Sequence, residues 1–551
     1  MSTLTNIHEP IGGPPPNAPH SPTHTHLSNL LGNPDTKLKE TEDKALSSSE
    51  ISKNVSDNIY NTIVRIVVHE AEFDYELPFK IKGNRSASGT GFFIDAKGHI
   101  MTCSHVVQDA SHVYVEIPSE GKRRFKANVL GICPFFDLAI IQIVDYQNTE
   151  YCELCNETDD EIKSGDETYA LGFPLGQDNL KVTKGIISGQ QHNMYQIDTP
   201  INHGNSGGPL IKNNLVIGVN GAGIMFANNI GYAVPISRYF LIKDLLYTKK
   251  RLIHYPEIFG FEYQRTSQDF IDFFGYSCGT SRETSRRKPS ATQRNKLSHK
   301  RIVSKPHTPT TAATTAKNCG GVYVKRTFKN SPISGVRMKC GDIVCSINGS
   351  SIDNYGEFNQ RWMNQKMDMS NMLCSLPLNQ AVEVNFWSNA NKTPCTKSFT
   401  LREYKIPIRH VYPEFEKDAV DYEVIGGMVV MQLTLDHCAY AFGRIRKYKK
   451  PEHRHEPRLV LSSILQGSTL ATSVTVKPTE IVEEINDIKV RTLAEFRKAI
   501  VKTIRKHGKT YVKLATEEKN IAILSVDTIK KEETDLQSVY KYTPSPLLKH
   551  I

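Results

Sequence analysis

The chain has 551 residues, 39% of them hydrophobic and 23% charged, and its 68 Lys and Arg outnumber 58 Asp and Glu to give a net charge of +10. That length predicts three or four domains, each able to bury its own core, and the modest apolar fraction leaves room for unstructured tail or linker. Eleven cysteines, odd in number and irregularly spaced, argue against a secreted disulfide framework; no cysteine spacing reads as a zinc site, and no run of about 18 apolar residues reads as a membrane span.

Residues 1–56 read as a disordered tail. Pro14-Pro15-Pro16 and the His-rich Pro19-His20-Ser21-Pro22-Thr23-His24-Thr25-His26 come first, followed by a charged, serine-rich stretch. The first thirty residues lack the apolar core of a signal peptide and the arginines of a transit peptide, so the expectation is an intracellular soluble protein, cytoplasmic or nuclear. From Ile59 onward come short β-branched runs separated by Gly, Asn and Asp: Ile63–Val68, Gly91–Ile94, Val113–Val115, Leu138–Ile143, Val216–Val219 and Ile230–Val234. Closely spaced strands with turn residues predict an all-β sandwich or barrel over residues 57–250, closed by a helix at Ser237–Tyr247.

Three residues inside this region form a chemical set. Gly204-Asn205-Ser206-Gly207-Gly208-Pro209-Leu210 places a serine on a tight glycine turn, where a hydroxyl is presented beside backbone N–H groups able to hold an oxyanion. Upstream, Thr102-Cys103-Ser104-His105-Val106-Val107 supplies a histidine and Phe136-Asp137-Leu138-Ala139-Ile140 a carboxylate at the mouth of an apolar strand. A carboxylate there needs a buried partner, and an imidazole N–H provides one. The chain order His, Asp, Ser is that of chymotrypsin-type double β-barrels. Cys103 reads as a structural thiol or as a redox-sensitive neighbour of the histidine. His203 and Asp198 read as loop residues.

Beyond residue 250, a Ser-, Thr-, Arg- and Lys-rich stretch at about 278–317 reads as a basic surface insertion, and much of the positive charge sits there rather than on a nucleic-acid-binding face. The C-terminal half then repeats itself at an offset of 138. Asp342-Ile343-Val344, Ile347-Asn348-Gly349, Ile352 and Glu357-Phe358 return as Glu480-Ile481-Val482, Ile485-Asn486-Asp487, Val490 and Glu495-Phe496. Two strands joined by an Asn-Gly or Asn-Asp turn, then a helix, is the shared expectation, and two copies of one binding module account for it.

On these motifs, together with Gly89–Ile94, Gly172-Phe173-Pro174-Leu175-Gly176, Val182–Gly189 and Gly231–Pro235, the chain resembles the HtrA/Deg serine proteases, trypsin-like proteases with C-terminal PDZ domains. The two C-terminal units are most similar to those of plant-type Deg members. The resemblance implies a mainly β chymotrypsin-like double β-barrel followed by two α+β PDZ-like domains, the first at 255–403 and the second, with a C-terminal extension, at 404–551. It implies Ser206 as nucleophile, His105 as general base and Asp137 as orienting carboxylate, with the oxyanion hole at Gly204, Asn205 and Ser206. Pro200, Ile201, Asn202, Val219, Asn220 and Gly221 would line the specificity pocket, and the lack of an acid at Pro200 suits small or medium aliphatic side chains. Ile258-Phe259-Gly260-Phe261 looks like a peptide carboxylate-binding loop; Ile425-Gly426-Gly427-Met428 occupies the matching position in the second unit, where a structural role is expected. The implied partners are unfolded proteins, hydrophobic peptide C-termini and further copies of the chain in trimers or their multiples. No cofactor or metal is implied.

Overall fold

The computed structural model describes residues 57–147, 150–156, 162–191, 193–223, 230–248, 251–276, 320–359, 366–440 and 444–551. The expected tail at 1–56 and the basic insertion at about 278–317 lie outside these residues. The described chain divides into two compact units, one combining residues up to Ile253 with Ile406–Ile551, the other spanning His254–Lys405.

The first unit opens with six strands: β1 (Ile63–Phe73), β2 (Ile81–Phe93), β3 (His99–Thr102), β4 (Ala110–Glu116), β5 (Arg124–Cys133) and β6 (Leu138–Ile143). β1 pairs antiparallel with β2 and β4, β3 bridges β2 to β6, and β6 returns to β5, so the sheet closes on itself. Closure removes free edges, and the β-branched runs supply the filling: Ile63, Ile66, Val68, Ile100, Ile140 and Ile141 are fully buried. One turn of helix, α1 (Ser104–Val107), follows β3.

β7 (Glu167–Gly172), β8 (Lys181–Gln191), β9 (Met194–Ile197), β10 (Pro209–Lys212), β11 (Leu215–Gly223) and β12 (Gly231–Pro235) form a second closed barrel in the order β10-β11-β12-β9-β8-β7. Two closed six-stranded barrels are the chymotrypsin-like architecture expected from the sequence. Helix α2 (Ser237–Leu246) crosses back to the first barrel. Gly131 makes that packing possible, since a Cβ there would sit 2.4 Å from the Leu246 carbonyl oxygen. The strand β13 (Arg251–Leu252) then pairs parallel with β5.

In residues 406–551 of the same unit the core is held by Val430, Leu461, Ile485, Phe496 and Leu514. The β1–β2 hairpin extends past its barrel to reach this region. Tyr75 Oη donates to the Val411 carbonyl at 3.1 Å, and Ser462 Oγ donates to the Glu76 carbonyl at 3.2 Å. The Tyr75 ring meets His437 edge-on at 5.2 Å, and Phe79 approaches Tyr542 at 5.5 Å. Phe73, Leu77 and Phe79 pack against buried clusters containing Met431, Val460, Val424 and Leu536.

The second unit contains β14 (Phe261–Gln264), α3 (Gln268–Phe274), β15 (Val322–Thr327), β16 (Ile343–Ile347), β17 (Ser350–Ser351), β18 (Glu357–Asn359), β19 (Lys366–Asp368), β20 (Ala381–Ser388) and β21 (Thr393–Thr400). Its main sheet runs β14-β15-β16-β20-β21, leaving β14 as an outer strand. Ser267 caps α3 by accepting from the Phe270 N–H, and Gly275 ends it in the left-handed conformation.

In residues 406–551 the strands are β22 (Tyr422–Ile425), β23 (Met428–Gln432), β24 (Leu459–Ile464), β25 (Ile481–Ile485), β26 (Ile488–Lys489), β27 (Ile504–Lys506), β28 (Lys509–Thr516) and β29 (Ile521–Ser525). The helices are α4 (Leu435–Tyr440), α5 (Thr469–Ser473), α6 (Leu493–Ile500) and α7 (Val526–Tyr540). Both copies of the repeat form the expected tight hairpin, β16–β17 and β25–β26, with Asn348, Asn486 and Asp487 at positive φ. Beyond the hairpin they part. The second copy builds helix α6, closed by a capping box between Thr492 and Glu495. In the first, Glu357-Phe358 lies in β18, paired with β19, so among the described residues the expected helix is replaced by a strand ribbon. Asn359 opposite Lys366 continues that pairing. Asn354 and Glu357 match the helix start signal of Thr492 and Glu495, but Gly356 takes φ 85° where Ala494 continues the helix, and Asp353 accepts the Glu357 N–H instead.

Candidate active site

His105 lies on α1, immediately after β3 has brought Thr102 and Cys103 to full burial in the first barrel. Asp137 sits on the turn entering β6, at φ 53°. β3 and β6 are neighbours, Thr102 opposite Ala139, so residues 32 apart in sequence meet at one end of the barrel. The carboxylate grips His105 twice: Oδ2 lies 2.8 Å from Nδ1, and Oδ1 accepts the His105 backbone N–H at 2.9 Å. The Asp137 carbonyl accepts from the Ser104 N–H at 3.1 Å. A ring held this way has its Nε2 edge turned away from the acid.

The electrostatics follow from burial and proximity. Burial pulls His105 toward the neutral form, but the Asp137 charge and hydrogen bond outweigh it and raise its pKa above the ordinary 6.5. Burial pushes the Asp137 carboxyl up, while the His105 charge and bonds pull it down further, leaving it below the usual aspartate range. Cys103 is fully buried, and burial together with the Asp137 charge holds its thiol well above the ordinary value. Its Sγ donates to the Asn220 carbonyl at 3.2 Å.

Ser206 comes from the second barrel, on the loop entering β10. Gly204 and Gly207 adopt φ of 99° and 88°, and a Cβ at either would lie 2.2 Å from the Phe173 carbonyl or 2.1 Å from Thr102 Oγ1. Only glycine fits these two positions. Thr90, at 0% exposure in the first barrel, fastens the loop. Its hydroxyl donates to the Gly204 carbonyl at 2.6 Å and accepts from the Phe173 N–H at 3.1 Å, and its N–H donates to the Ser206 carbonyl at 2.9 Å.

Two backbone donors remain beside the serine. The Asn205 N–H bonds the Asn202 carbonyl and the Gly207 N–H bonds the Asn220 carbonyl, but among the described residues neither the Gly204 nor the Ser206 N–H has an acceptor. The peptide before Gly204 is oriented by the Leu175 N–H, which donates to the His203 carbonyl at 2.6 Å. Because a trans peptide points its C=O and N–H in opposite directions, that bond turns the Gly204 N–H away from Leu175. Leu175 is fixed in turn: Arg65 bonds the adjacent Gly176 carbonyl at 3.1 Å and ion-pairs with Glu116 at 3.1 Å. The sequence motif of the Ser206 loop gave no hint of Thr90 or Arg65; a polar residue between two glycines, Gly89-Thr90-Gly91, was the one signal available. The Ser206 hydroxyl donates to the Gly221 carbonyl at 2.9 Å.

The residues expected to line a pocket separate. Pro200 and Asn202 are exposed and Ile201 is half-buried. Val219 is fully enclosed by the barrel, and Asn220 turns its amide to the Pro209 carbonyl at 3.0 Å, bracing the Ser206 loop from behind. Asp198 accepts the Ile186 N–H at 2.6 Å, a structural bond. His203 is exposed. A close cysteine pair, Cys152-Glu153-Leu154-Cys155, lies in the segment joining the barrels. The Cys152 N–H bonds Phe93 of the first barrel, and the Cys155 N–H bonds Val216 of the second. No disulfide joins any of the described cysteines.

In the second unit, Gly260 adopts φ 110° with a would-be Cβ 2.1 Å from Ser331 Oγ, while Phe259 and Phe261 are buried. The carbonyls of this segment face inward, Phe259 to the Ile333 N–H and Gly260 to the Phe328 N–H. Ile425-Gly426-Gly427-Met428 forms a two-residue hairpin turn between β22 and β23, both glycines at positive φ and packed on Ser468, Leu524 and Ile529.

Residues 89–219 match the trypsin-like peptidase domain. Protease Do-like 4, mitochondrial, from Arabidopsis thaliana is 32% identical over 233 residues, 40% of this chain and 43% of that protein. The periplasmic serine endoprotease DegP of Salmonella typhimurium is 30% identical over 284 residues, 49% of this chain and 50% of its own length. The chain thus spans about half the length of the curated relatives it matches. Among solved structures, an HtrA-type protease with a decapeptide overlays 65% of this chain and 97% of its own at 17% identity and a TM-score of 0.45, too loose a fit to bear on residue roles.

Proposed function

We propose that this chain is an HtrA/Deg-type serine protease, an ATP-independent endopeptidase that cleaves unfolded polypeptides through His105, Asp137 and Ser206; the trypsin-like peptidase match over residues 89–219 and the likeness to DegP support the reading. The observation that carries the reading is the double grip of Asp137 on His105 beside a glycine loop with two N–H groups left unbonded. In this mechanism the Ser206 hydroxyl leaves the Gly221 carbonyl and turns to His105 Nε2, which takes its proton as Oγ attacks the peptide carbonyl. The Gly204 and Ser206 N–H groups then receive the oxyanion. His105 passes the proton to the leaving amine, and water hydrolyses the acyl-enzyme by the reverse sequence. Asp137 holds the ring and offsets its transient positive charge.

Small or medium aliphatic residues are the proposed cleavage sites, because the pocket position Pro200 carries no counter-charge for a basic side chain. Such residues are exposed chiefly in unfolded chains. For the second unit we propose capture of a hydrophobic C-terminal peptide at Ile258–Phe261, with the peptide added as a strand along the outer strand β14. Assembly into trimers or their multiples is part of the same proposal. The bond from Ser206 to Gly221 also favours a second reading, a resting enzyme or a protease-fold chaperone with regulated cleavage.

Ser206→Ala in the full chain tests the chemistry: casein cleavage should vanish while the thermal transition stays in place. A fluorophosphonate probe separates the two readings, since rapid labelling of Ser206 needs an assembled oxyanion hole and a charged His–Asp pair. Retained cleavage in the pure variant overturns the assignment.

A further inference from the structure

We propose that Cys103, His105 and Asp137 form a zinc site that competes with proteolysis. Cys103 Sγ, a ring nitrogen of His105 and a carboxylate oxygen of Asp137 lie within 4.8 Å of one another, the one such group of three ligating side chains among the described residues. The consequence for cleavage rests on the reading of His105 and Asp137 given above; the binding itself does not.

The chemistry of the donors suits the ion. Thiolate, imidazole and carboxylate are the three ligand types that zinc takes in proteins, and a tetrahedral centre with Zn–S near 2.3 Å and Zn–N or Zn–O near 2.1 Å separates its donors by about 3.3–3.6 Å. His105 Nδ1 and Asp137 Oδ2, now 2.8 Å apart, would open by about half an ångström, while Sγ would close from its present place against the Asn220 carbonyl. The charges also balance. A thiolate beside Asp137 would be a buried pair of like charges, but one divalent cation with one thiolate, one carboxylate and a neutral imidazole sums to zero. There is a way in: the side chains of His105 and Asp137 keep 28% and 31% of their surface exposed, so they form the open side of the site and the buried thiol its floor.

Binding proceeds with a simple balance. The Cys103 S–H bond breaks and its proton leaves to solvent. The Nδ1 proton of His105 is lost as Nε2 takes one up, which leaves the ring neutral with Nδ1 as the donor. Bonds form from zinc to Sγ, Nδ1 and a carboxylate oxygen, with water completing the fourth position. An imidazole protonated at Nε2 and fixed at Nδ1 cannot accept the serine proton, so the enzyme is shut without any change in Ser206.

The test uses the full chain stripped with EDTA and titrated with Co²⁺, whose thiolate charge-transfer band in the near ultraviolet and visible bands report sulfur ligation and four-coordination directly. One equivalent should produce both, Zn²⁺ should displace them, and Cys103→Ala should abolish them. His105→Ala keeps the thiol and should weaken the same band. Zinc-edge X-ray absorption of the unaltered protein covers the case in which a variant fails to fold, and should give one sulfur with nitrogen and oxygen neighbours. Saturating Co²⁺ without a thiolate band, a band that survives Cys103→Ala, or a zinc shell lacking sulfur overturns the proposal. Zn²⁺ should also block casein cleavage by the unaltered protein and spare Cys103→Ala in proportion to its own metal-free rate. Fluorophosphonate labelling in EDTA is read alongside: its failure removes the protease reading and leaves the cobalt result standing by itself.

Discussion

The hydroxyl of Thr90 reaches from the first barrel to the carbonyl of Gly204 on the Ser206 loop of the second, 2.6 Å away and shielded from water. Together with the bond from the Thr90 N–H to the Ser206 carbonyl, it fixes the two residues whose N–H groups face the proposed oxyanion. Thr90→Val keeps the shape and removes the hydroxyl, stranding the Gly204 carbonyl and the Phe173 N–H. The expected cost is about 1–3 kcal/mol of stability, measured by urea unfolding, with kcat falling and KM little changed. Thr90→Ser should restore most of both. A valine variant with unaltered kcat would show that the loop holds its own geometry.

The acid limb of activity should lie above pH 6.5, the ordinary histidine value, because Asp137 raises the pKa of His105. A general base works only when unprotonated, so raising its pKa moves the loss of activity to higher pH. Asp137→Asn removes the charge, and the limb should move down as the rate falls by on the order of 10⁴. The pH dependence of kcat/KM for both proteins checks the direction of the shift.

The β1–β2 hairpin should act as a clasp on residues 406–551. Phe79→Ala withdraws a half-buried ring from the cluster with Tyr422 and Tyr542 and should cost about 1–3 kcal/mol. Hydrogen exchange should show faster opening at Leu459–Ile464, where Ser462 bonds the Glu76 carbonyl. Unaltered exchange there would assign the contact no energetic role.

His437 should make the protein sensitive to mild acid. Burial forces its pKa down to about 4 from 6.5, and its Nδ1 accepts the Thr434 N–H. The folded state therefore favours the neutral ring, whereas the unfolded chain takes up a proton below 6.5. Stability from this group is complete above 6.5 and declines as the pH drops toward 4, by up to about 3 kcal/mol. His437→Gln, which does not titrate, should flatten the slope of unfolding free energy in that window.

Much of this protein was legible in its sequence because local signals carry their own geometry. β-branched runs between turn residues marked the strands of both barrels, and Gly-Asn-Ser-Gly-Gly marked a turn that only glycines allow. The histidine and the acid were found by residue type and order, since a carboxylate opening an apolar strand needs a buried partner. The helix expected at Glu357-Phe358 shows the limit: it shares its motif with Glu495-Phe496, and Asn354 stands where Thr492 caps α6, yet Gly356 turns to φ 85° where Ala494 continues the helix.

What the tertiary structure alone decided are the contacts that join distant segments without any periodic or spacing signature. Thr90 with Gly204, Arg65 with Glu116, Leu175 with His203 and Tyr75 with Val411 each depend on how closed barrels and a long hairpin are laid against one another. A sequence states which groups must be satisfied when buried. Which partner satisfies them is settled only when the chain has folded and brought one within hydrogen-bonding reach.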